Sequence, residues 1–98
     1  MGETELARMH AVVEGTVQGV GFRYFVHDMA VTLGLTGWVR NLWDGTVEVM
    51  AEGERQGLEK LYQALQRGPR GAEVMGVQHT WEKYRGEGQG FHIRQTSI

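Results

Sequence analysis

The order in which strand-like and helix-like segments follow one another constrains the fold of this 98-residue chain more than any other feature. A short apolar stretch at residues 9–13 predicts a first strand, and a glycine-rich loop follows it. Gly34 is typical of a glycine that ends a helix. Before it, apolar residues at three- and four-residue spacing predict a helix whose buried stripe is Phe22, Phe25, Val26, Met29, Ala30 and Leu33.

Five further segments complete the predicted pattern. They are strands at 37–42 and 46–51, a helix from about 54 to 67, a strand at 72–83 and a short last strand around Phe91 and Ile93. The second helix is expected to end at Gly68-Pro69, because proline cannot continue a helix.

The order strand, helix, strand, strand, helix, strand is the split βαβ plan of ferredoxin-like α+β sandwiches. Two helices are then expected on one face of an antiparallel sheet, with a short extra C-terminal strand. The length predicts one compact domain, residues 1–98, with a core that needs no disulfide or metal. Because this fold hosts many activities, the fold alone does not indicate the function, which depends on particular residues.

The turn between the second and third predicted strands decides which residues share a face of the sheet. A two-residue turn would put Trp38 and Arg40 beside the valines of the third strand. A three-residue turn, with Gly45 left-handed, would put Val39 and Asn41 there instead. We favour the three-residue turn because it aligns valine with valines, although it places polar Asn41 at the end of the helix-covered face.

The composition disfavours several kinds of partner. A net charge of −2 gives no long-range attraction to nucleic acid or anionic lipid, and no basic-glycine-aromatic run typical of RNA-binding sheets is present. No apolar run approaches the ~20 residues needed to span a bilayer. Residues 1–5 lack the basic segment and the apolar segment of a secretory signal peptide. We expect a cytoplasmic protein with neither nucleic acid nor membrane as a partner, and we expect a monomer.

The available side chains also limit the chemistry. The chain has no cysteine, which excludes disulfides, thiolate nucleophiles and cysteine metal ligands. Ser97, the only serine, lies beside the carboxyl end and is expected to be frayed, so a serine triad has no good nucleophile. No metal and no cofactor is expected, because metal-ligand spacing is absent from the four histidines, His10, His27, His79 and His92.

The loop after the first strand has the features of a phosphate cradle. Its candidate binding residues are Gly15, Thr16, Val17, Gln18, Gly19 and Val20. Glycines let consecutive backbone N–H groups point inward, and the following helix N-terminus adds unsatisfied donors. Valine at position 17 excludes a phosphoenzyme there, and neither a Walker nor a dinucleotide glycine pattern is present. The alternative is a long, mobile turn that binds nothing.

Arg23 and Asn41 are the candidate catalytic residues. Arg23 falls in the first helical turn, where the helix dipole disfavours a cation by a few tenths of a kcal/mol to about 1 kcal/mol, and a bound anion would reverse that sign. Its alternative is a solvated arginine lying over the apolar stripe. The Asn41 amide can accept from a water while donating to an oxygen, which suits holding a nucleophile. Its alternative is a residue that initiates a turn.

Two separate stretches resemble the acylphosphatase family. The first is Val13-x-Gly15-x-Val17-Gln18-Gly19-Val20-x-Phe22-Arg23. The second is Gly37-Trp38-Val39-Arg40-Asn41, followed by Gly45-x-Val47 and Gly53. Residues 65–74 are similar to what the family has after its second helix, so the resemblance covers nearly the whole chain.

The resemblance implies metal-independent hydrolysis of small-molecule acyl phosphates to a carboxylate and inorganic phosphate. It implies that Arg23 binds phosphate and that Asn41 orients the attacking water. Inorganic phosphate would be both product and competitive inhibitor. Two alternatives remain open: a non-catalytic anion sensor or interaction module that keeps the loop, and a part of a larger carbamoyl-transfer protein. No appended domain or zinc-binding cysteine favours the latter.

Overall fold

The computed structural model of the protein describes residues 5–98. Residues 1–4, which belong to the stretch judged to lack a secretory signal, lie outside the described residues. Within residues 5–98 the elements are β1 (Leu6–Thr16), α1 (Phe22–Thr32), β2 (Thr36–Asn41), β3 (Val47–Glu54), α2 (Arg55–Arg67), β4 (Glu73–Glu82) and β5 (Phe91–Ile93). The predicted order of strands and helices is confirmed. β1 is longer than the predicted residues 9–13, because it pairs with β3 over residues 6–13 and with β4 over residues 8–16.

The strands form one sheet in the order β4-β1-β3-β2-β5. The first four strands pair antiparallel, as predicted, whereas β5 pairs parallel with β2. The direction of β5 has a simple cause: β4 runs opposite to β2, and the chain reverses once between β4 and β5. The predicted extra C-terminal strand therefore makes the sheet mixed.

The core lies between the helices and one face of the sheet. Its buried residues include Ala7, Met9, Ala11 and Val13 of β1, Val47, Val49 and Ala51 of β3, Phe22, Val26 and Ala30 of α1, and Leu58, Leu61 and Leu65 of α2. Burial of one large apolar side chain contributes roughly 1.5–3 kcal/mol, so this layer holds the helices on the sheet. Neither helix in the described part of the chain is long and apolar enough to cross a membrane.

The β2–β3 turn has the three residues predicted from the alignment of the valines. Val39 pairs with Val49, and Asn41 pairs with Val47. Gly45 has a φ of 95°, and its N–H lies 3.1 Å from the Leu42 carbonyl oxygen, to which it donates. Asn41 therefore shares the helix-covered face with Val39.

The opposite face of the sheet contains a buried carboxylate, Glu52, which is 3% exposed. Arg8 Nη1 donates to Glu52 Oε2 at 3.1 Å, and the backbone N–H groups of Arg85 and Gly86 donate to the same carboxylate at 2.7 and 3.0 Å. Glu52 thus anchors the connection between β4 and β5. Burial by itself raises the pKa of Glu52, but the two backbone donors and the Arg8 guanidinium outweigh burial and hold this pKa below its usual value.

Replacing Glu52 with glutamine should lower the free energy of unfolding by about 1–3 kcal/mol at neutral pH, because two backbone donors and a guanidinium lose a charged acceptor. The folded-state pKa lies below the unfolded-state value of about 4.3, so the stabilisation is present above that value and is lost as the pH falls through the folded-state pKa. Urea unfolding of the parent and Glu52→Gln at several pH values measures the difference. We expect the difference in unfolding free energy between the two proteins to become smaller below about pH 4.3. A difference that does not change with pH would contradict the stabilising role of the ionised Glu52 carboxylate.

Candidate active site

The connection between β1 and α1 leaves backbone donors without partners. Gly19 and Gly21 have φ values of 75° and 77°, and Val20 between them has no positive φ. Alternation of this kind turns successive N–H groups toward one side and forms an anion-binding concavity. Among residues 5–98, nothing accepts a hydrogen bond from the backbone N–H groups of residues 19–24. A side chain at Gly19 or Gly21 would meet no atom within 4 Å, so the concavity opens to solvent.

The start of α1 continues this concavity. Its N-cap is Gly21, there is no side-chain capping bond, and no acidic residue lies in the first turn of the helix. The first N–H groups of a helix have no intrahelical partner and carry a positive partial charge. An anion at this point would satisfy donors that the described chain leaves unbonded.

Gly15 is required for packing, whatever else it does. The register between β1 and β4 shifts between Glu14 and Gly15, and Gly15 has a φ of 129°. A Cβ at position 15 would lie 2.1 Å from the carbonyl oxygen of Glu73, which is closer than atoms can approach. Val17 is also structural, since its side chain is buried in the core, so only its backbone is available to a ligand. That Gly15, Thr16 and Val17 contact a ligand stays a prediction.

Arg23 lies in the first turn of α1 and is half-buried. Within residues 5–98, no carboxylate lies within 4.0 Å of its guanidinium, and no side-chain hydrogen bond involves it. A cation at a helix N-terminus is destabilising by up to about 1 kcal/mol. Arg23 therefore has an uncompensated charge beside the unbonded N–H groups.

Asn41 ends β2 at the helix-covered face. Its carbonyl oxygen accepts from the Ser97 N–H at 3.0 Å, and the N–H of the next residue, Leu42, donates to the Thr46 carbonyl oxygen at 2.9 Å. The backbone at Asn41 is therefore held from both sides. Its half-buried side chain makes no hydrogen bond to any residue in the described range 5–98.

The expectation that Ser97 is frayed was wrong. Its N–H and carbonyl oxygen bond to Asn41 and to the Trp43 N–H, the latter at 2.9 Å. Residue 97 also forms a parallel bridge with Leu42. The segment after β5 stays beside β2 because its backbone groups pair with the end of that strand.

The Gln18 side chain joins the loop to the β2–β3 hairpin. Gln18 Nε2 donates to the carbonyl oxygens of Leu42 at 2.8 Å and Thr46 at 2.9 Å. The sequence predicts Gln18 as a ligand-binding residue and gives no indication of this link. The link has no sequence signal, because its acceptors are backbone carbonyls 24 and 28 residues away.

Each of the four histidines contacts a neighbouring group of its own: His10 contacts Glu48, His27 contacts Asp28, His79 contacts the Tyr62 ring and His92 contacts the Gln89 carbonyl oxygen. His10 contacts Glu48 at 2.6 Å, and the His79 ring lies 4.1 Å from the Tyr62 ring. In the part of the chain that the structure describes, no group of three or more His, Cys, Asp or Glu residues could hold a metal ion.

Comparison with known proteins identifies the family. The acylphosphatase family model matches residues 9–93. The acylphosphatase of Pelotomaculum thermopropionicum is 53% identical over 87 residues, which cover 89% of this chain and 95% of that protein. The acylphosphatase structure from Coxiella burnetii is 38% identical with a TM-score of 0.88, and the match covers 96% of this chain and 100% of that chain.

A longer protein contains a similar unit. The structure of full-length HypF in its phosphate- and nucleotide-bound form is 26% identical with a TM-score of 0.86, and the match covers 98% of this chain but 13% of that chain. The family model covers most of the present chain, and the P. thermopropionicum protein shares more than half of its aligned residues with it. The chain therefore belongs to the acylphosphatase family.

Proposed function

We propose that this protein is a hydrolase that cleaves the carboxyl-phosphate anhydride bond of small-molecule acyl phosphates, such as acetyl, carbamoyl or glyceroyl phosphate. The observation that carries the proposal is the run of unbonded N–H groups at residues 19–24 beside the uncompensated charge of Arg23. Membership of the acylphosphatase family supports the acyl phosphate as the substrate class.

In the proposed mechanism, the phosphoryl group rests in the loop of residues 15–20 and Arg23 binds two of its oxygens. Charge-assisted hydrogen bonds of this kind contribute on the order of 1.5–3 kcal/mol each. Asn41 holds a water opposite the bridging oxygen, and this water attacks phosphorus in line. The bond from phosphorus to the bridging oxygen breaks, and its electron pair leaves with the carboxylate.

In this mechanism the enzyme acts by positioning the water and the phosphoryl group and by stabilising the negative charge on the phosphoryl oxygens. A loose phosphoryl-transfer transition state needs little covalent help from the enzyme. The leaving carboxylate has a reference pKa near 4, so it departs without a protonating side chain. An ordinary phosphate ester has a far more basic leaving group and should be a poor substrate. The proposal therefore requires neither a general acid nor a metal.

Several expectations from the sequence stay predictions. They are the single domain over residues 1–98, the monomeric state and the cytoplasmic location. The family model accounts for residues 9–93 of that domain.

Hydrolysis of benzoyl phosphate distinguishes the enzyme from a non-catalytic anion sensor, because a sensor would bind phosphate without turnover.

Replacing Arg23 with alanine should abolish turnover and inhibition by inorganic phosphate together, because both depend on the same guanidinium. Arg23→Lys should restore less than half of either effect, since an ammonium keeps the charge but loses the planar pair of donors. Steady-state assays with increasing phosphate measure both quantities. The exposed Arg70→Ala is the matched control and should leave them unchanged. An Arg23→Ala protein that phosphate inhibits as strongly as the parent would refute the assignment.

Replacing Asn41 with alanine should lower kcat by roughly 10²- to 10³-fold, by analogy with loss of one transition-state donor. The inhibition constant for phosphate should stay within about threefold of the parent value, because the water-holding amide is not part of the phosphate grip. Thermal unfolding of the variant controls for misfolding. Equal losses of turnover and phosphate affinity would mean that Asn41 has a structural role.

Chelators should leave activity unchanged, because the proposed reaction uses only backbone donors, a guanidinium and an amide. The measurement is benzoyl phosphate hydrolysis by dialysed protein with and without excess EDTA. Activity that is lost with EDTA and recovered with one divalent cation would overturn the metal-independent mechanism.

A further inference from the structure

The Gln18 side chain uses its full donor capacity on one partner segment. A primary amide has two N–H bonds, and Gln18 Nε2 directs them to the carbonyl oxygens of Leu42 and Thr46 at 2.8 and 2.9 Å. Both distances are in the range of good hydrogen bonds. Gln18 is half-buried, so these bonds are partly shielded from competing water.

The two acceptors are the carbonyls that close the β2–β3 hairpin. The Leu42 oxygen also accepts from the Gly45 N–H at 3.1 Å, and the Thr46 oxygen also accepts from the Leu42 N–H at 2.9 Å. Each carbonyl therefore accepts two hydrogen bonds, which matches its two lone pairs. The Gln18 amide is an integral part of the hairpin closure and not a chance surface contact.

The rest of the loop has few other attachments. Val17 is buried in the core at one end and Phe22 at the other. Between them, Gly19 and Gly21 have no side chains, and Val20 contributes only apolar packing against the core. Within residues 5–98, Gln18 provides the side-chain hydrogen bonds that join residues 18–21 to another element.

The linked segment carries Asn41. Leu42, whose carbonyl accepts from Gln18, directly follows Asn41 in the chain, and the Asn41 carbonyl is itself held by the Ser97 N–H at 3.0 Å. A displacement of the loop relative to the hairpin would therefore change the distance between a bound phosphoryl group and the Asn41 amide. In-line attack is sensitive to such changes, since a misplacement of about 1 Å can lower a rate by about 10²-fold.

We propose that Gln18 is a positioning residue: its side-chain amide sets the distance between the phosphate-binding loop and Asn41, so that a water held by Asn41 lies in line with the bond that breaks. This inference rests on the proposed function. It assigns the Gln18 side chain to the hairpin, while the backbone N–H groups of residues 19–24 remain the donors for phosphate.

The first test replaces Gln18 with methionine, which has a similar length but no amide donor. We expect kcat for benzoyl phosphate to fall about 10- to 100-fold, while the inhibition constant for inorganic phosphate stays within about threefold of the parent value. The matched control is Gln66→Met, which removes an exposed glutamine bonded to Tyr62 at 3.3 Å, and it should leave both constants unchanged. An unchanged kcat in Gln18→Met would overturn the proposal.

Combination with Asn41→Ala separates positioning from general destabilisation. If Gln18 acts by placing the Asn41 amide, Gln18→Met should lower kcat less than about threefold once that amide is absent, because residues that act as a unit are not additive. If the loss in Gln18→Met were purely structural, the fold-decreases in kcat caused by the two substitutions would multiply in the double variant. That result would contradict the proposal.

The variant Gln18→Glu offers a rescue that a packing role would not produce. An ionised carboxylate would face two carbonyl oxygens with no donor, whereas a protonated carboxyl can donate to one of them. The ratio of kcat in the parent to kcat in Gln18→Glu should therefore fall as the pH is lowered toward about 4. A ratio that does not change with pH would argue against the donor role.

A readout without catalysis distinguishes failure of this inference from failure of the proposed function. In NMR titrations with inorganic phosphate, the parent should show shifts of the N–H signals both at residues 19–24 and at Leu42. In Gln18→Met, the shifts at residues 19–24 should persist and the shift at Leu42 should be lost. If the parent binds phosphate in this way but hydrolyses no acyl phosphate, the proposed function fails and the role of Gln18 in in-line attack fails with it, while the Gln18 link between the loop and the hairpin stands. If Leu42 responds equally in both proteins, or phosphate binds neither, the inference fails.

Discussion

The pairing of β1 with β3 on one side and with β4 on the other is the constraint on which the site depends. It holds residues 6–13 in register with β3 and residues 8–16 in register with β4, and it buries alternate side chains under the helices. The chain leaves the sheet after Thr16, where the pairing with β4 ends, two residues beyond the register shift at Glu14. The loop and the start of α1 are therefore delivered to a fixed place at the end of β1, which is the end where Val13 pairs with Val47 and the β2–β3 turn lies.

Unpaired donors distinguish this end of the molecule from the opposite face of the sheet. On that face, Glu52 accepts from two backbone N–H groups and from Arg8, so the charge of this carboxylate is matched within the protein. At the start of α1, the N–H groups of residues 19–24 and the Arg23 guanidinium have no such partners among residues 5–98. Several unmatched donors and one cation around a concavity that opens to solvent suit an anionic ligand.

Much of the fold was predictable because it depends on local patterns. Helical spacing from Phe22 to Leu33 and the alternation of valines in β3 reflect the periods of 3.6 and 2 residues that any buried helix or strand face requires. The three-residue turn was predictable for the same reason, since only that register aligns Val39 with Val49. The parallel direction of β5 and the ordered position of Ser97 were missed, because short segments carry little periodic signal and are stabilised by pairing with distant strands.

The sequence by itself determined the order of the elements, the face on which Asn41 lies and the residue types available for chemistry, because these follow from local periodicity and side-chain structure. Only the tertiary structure decided that the Gln18 amide bonds to the carbonyls of Leu42 and Thr46, and that Glu52 holds the connection before β5. The physical reason is that these bonds join side chains to backbone groups 24 to 34 residues away. Every residue has such a backbone group, so no residue type in the sequence identifies the partner.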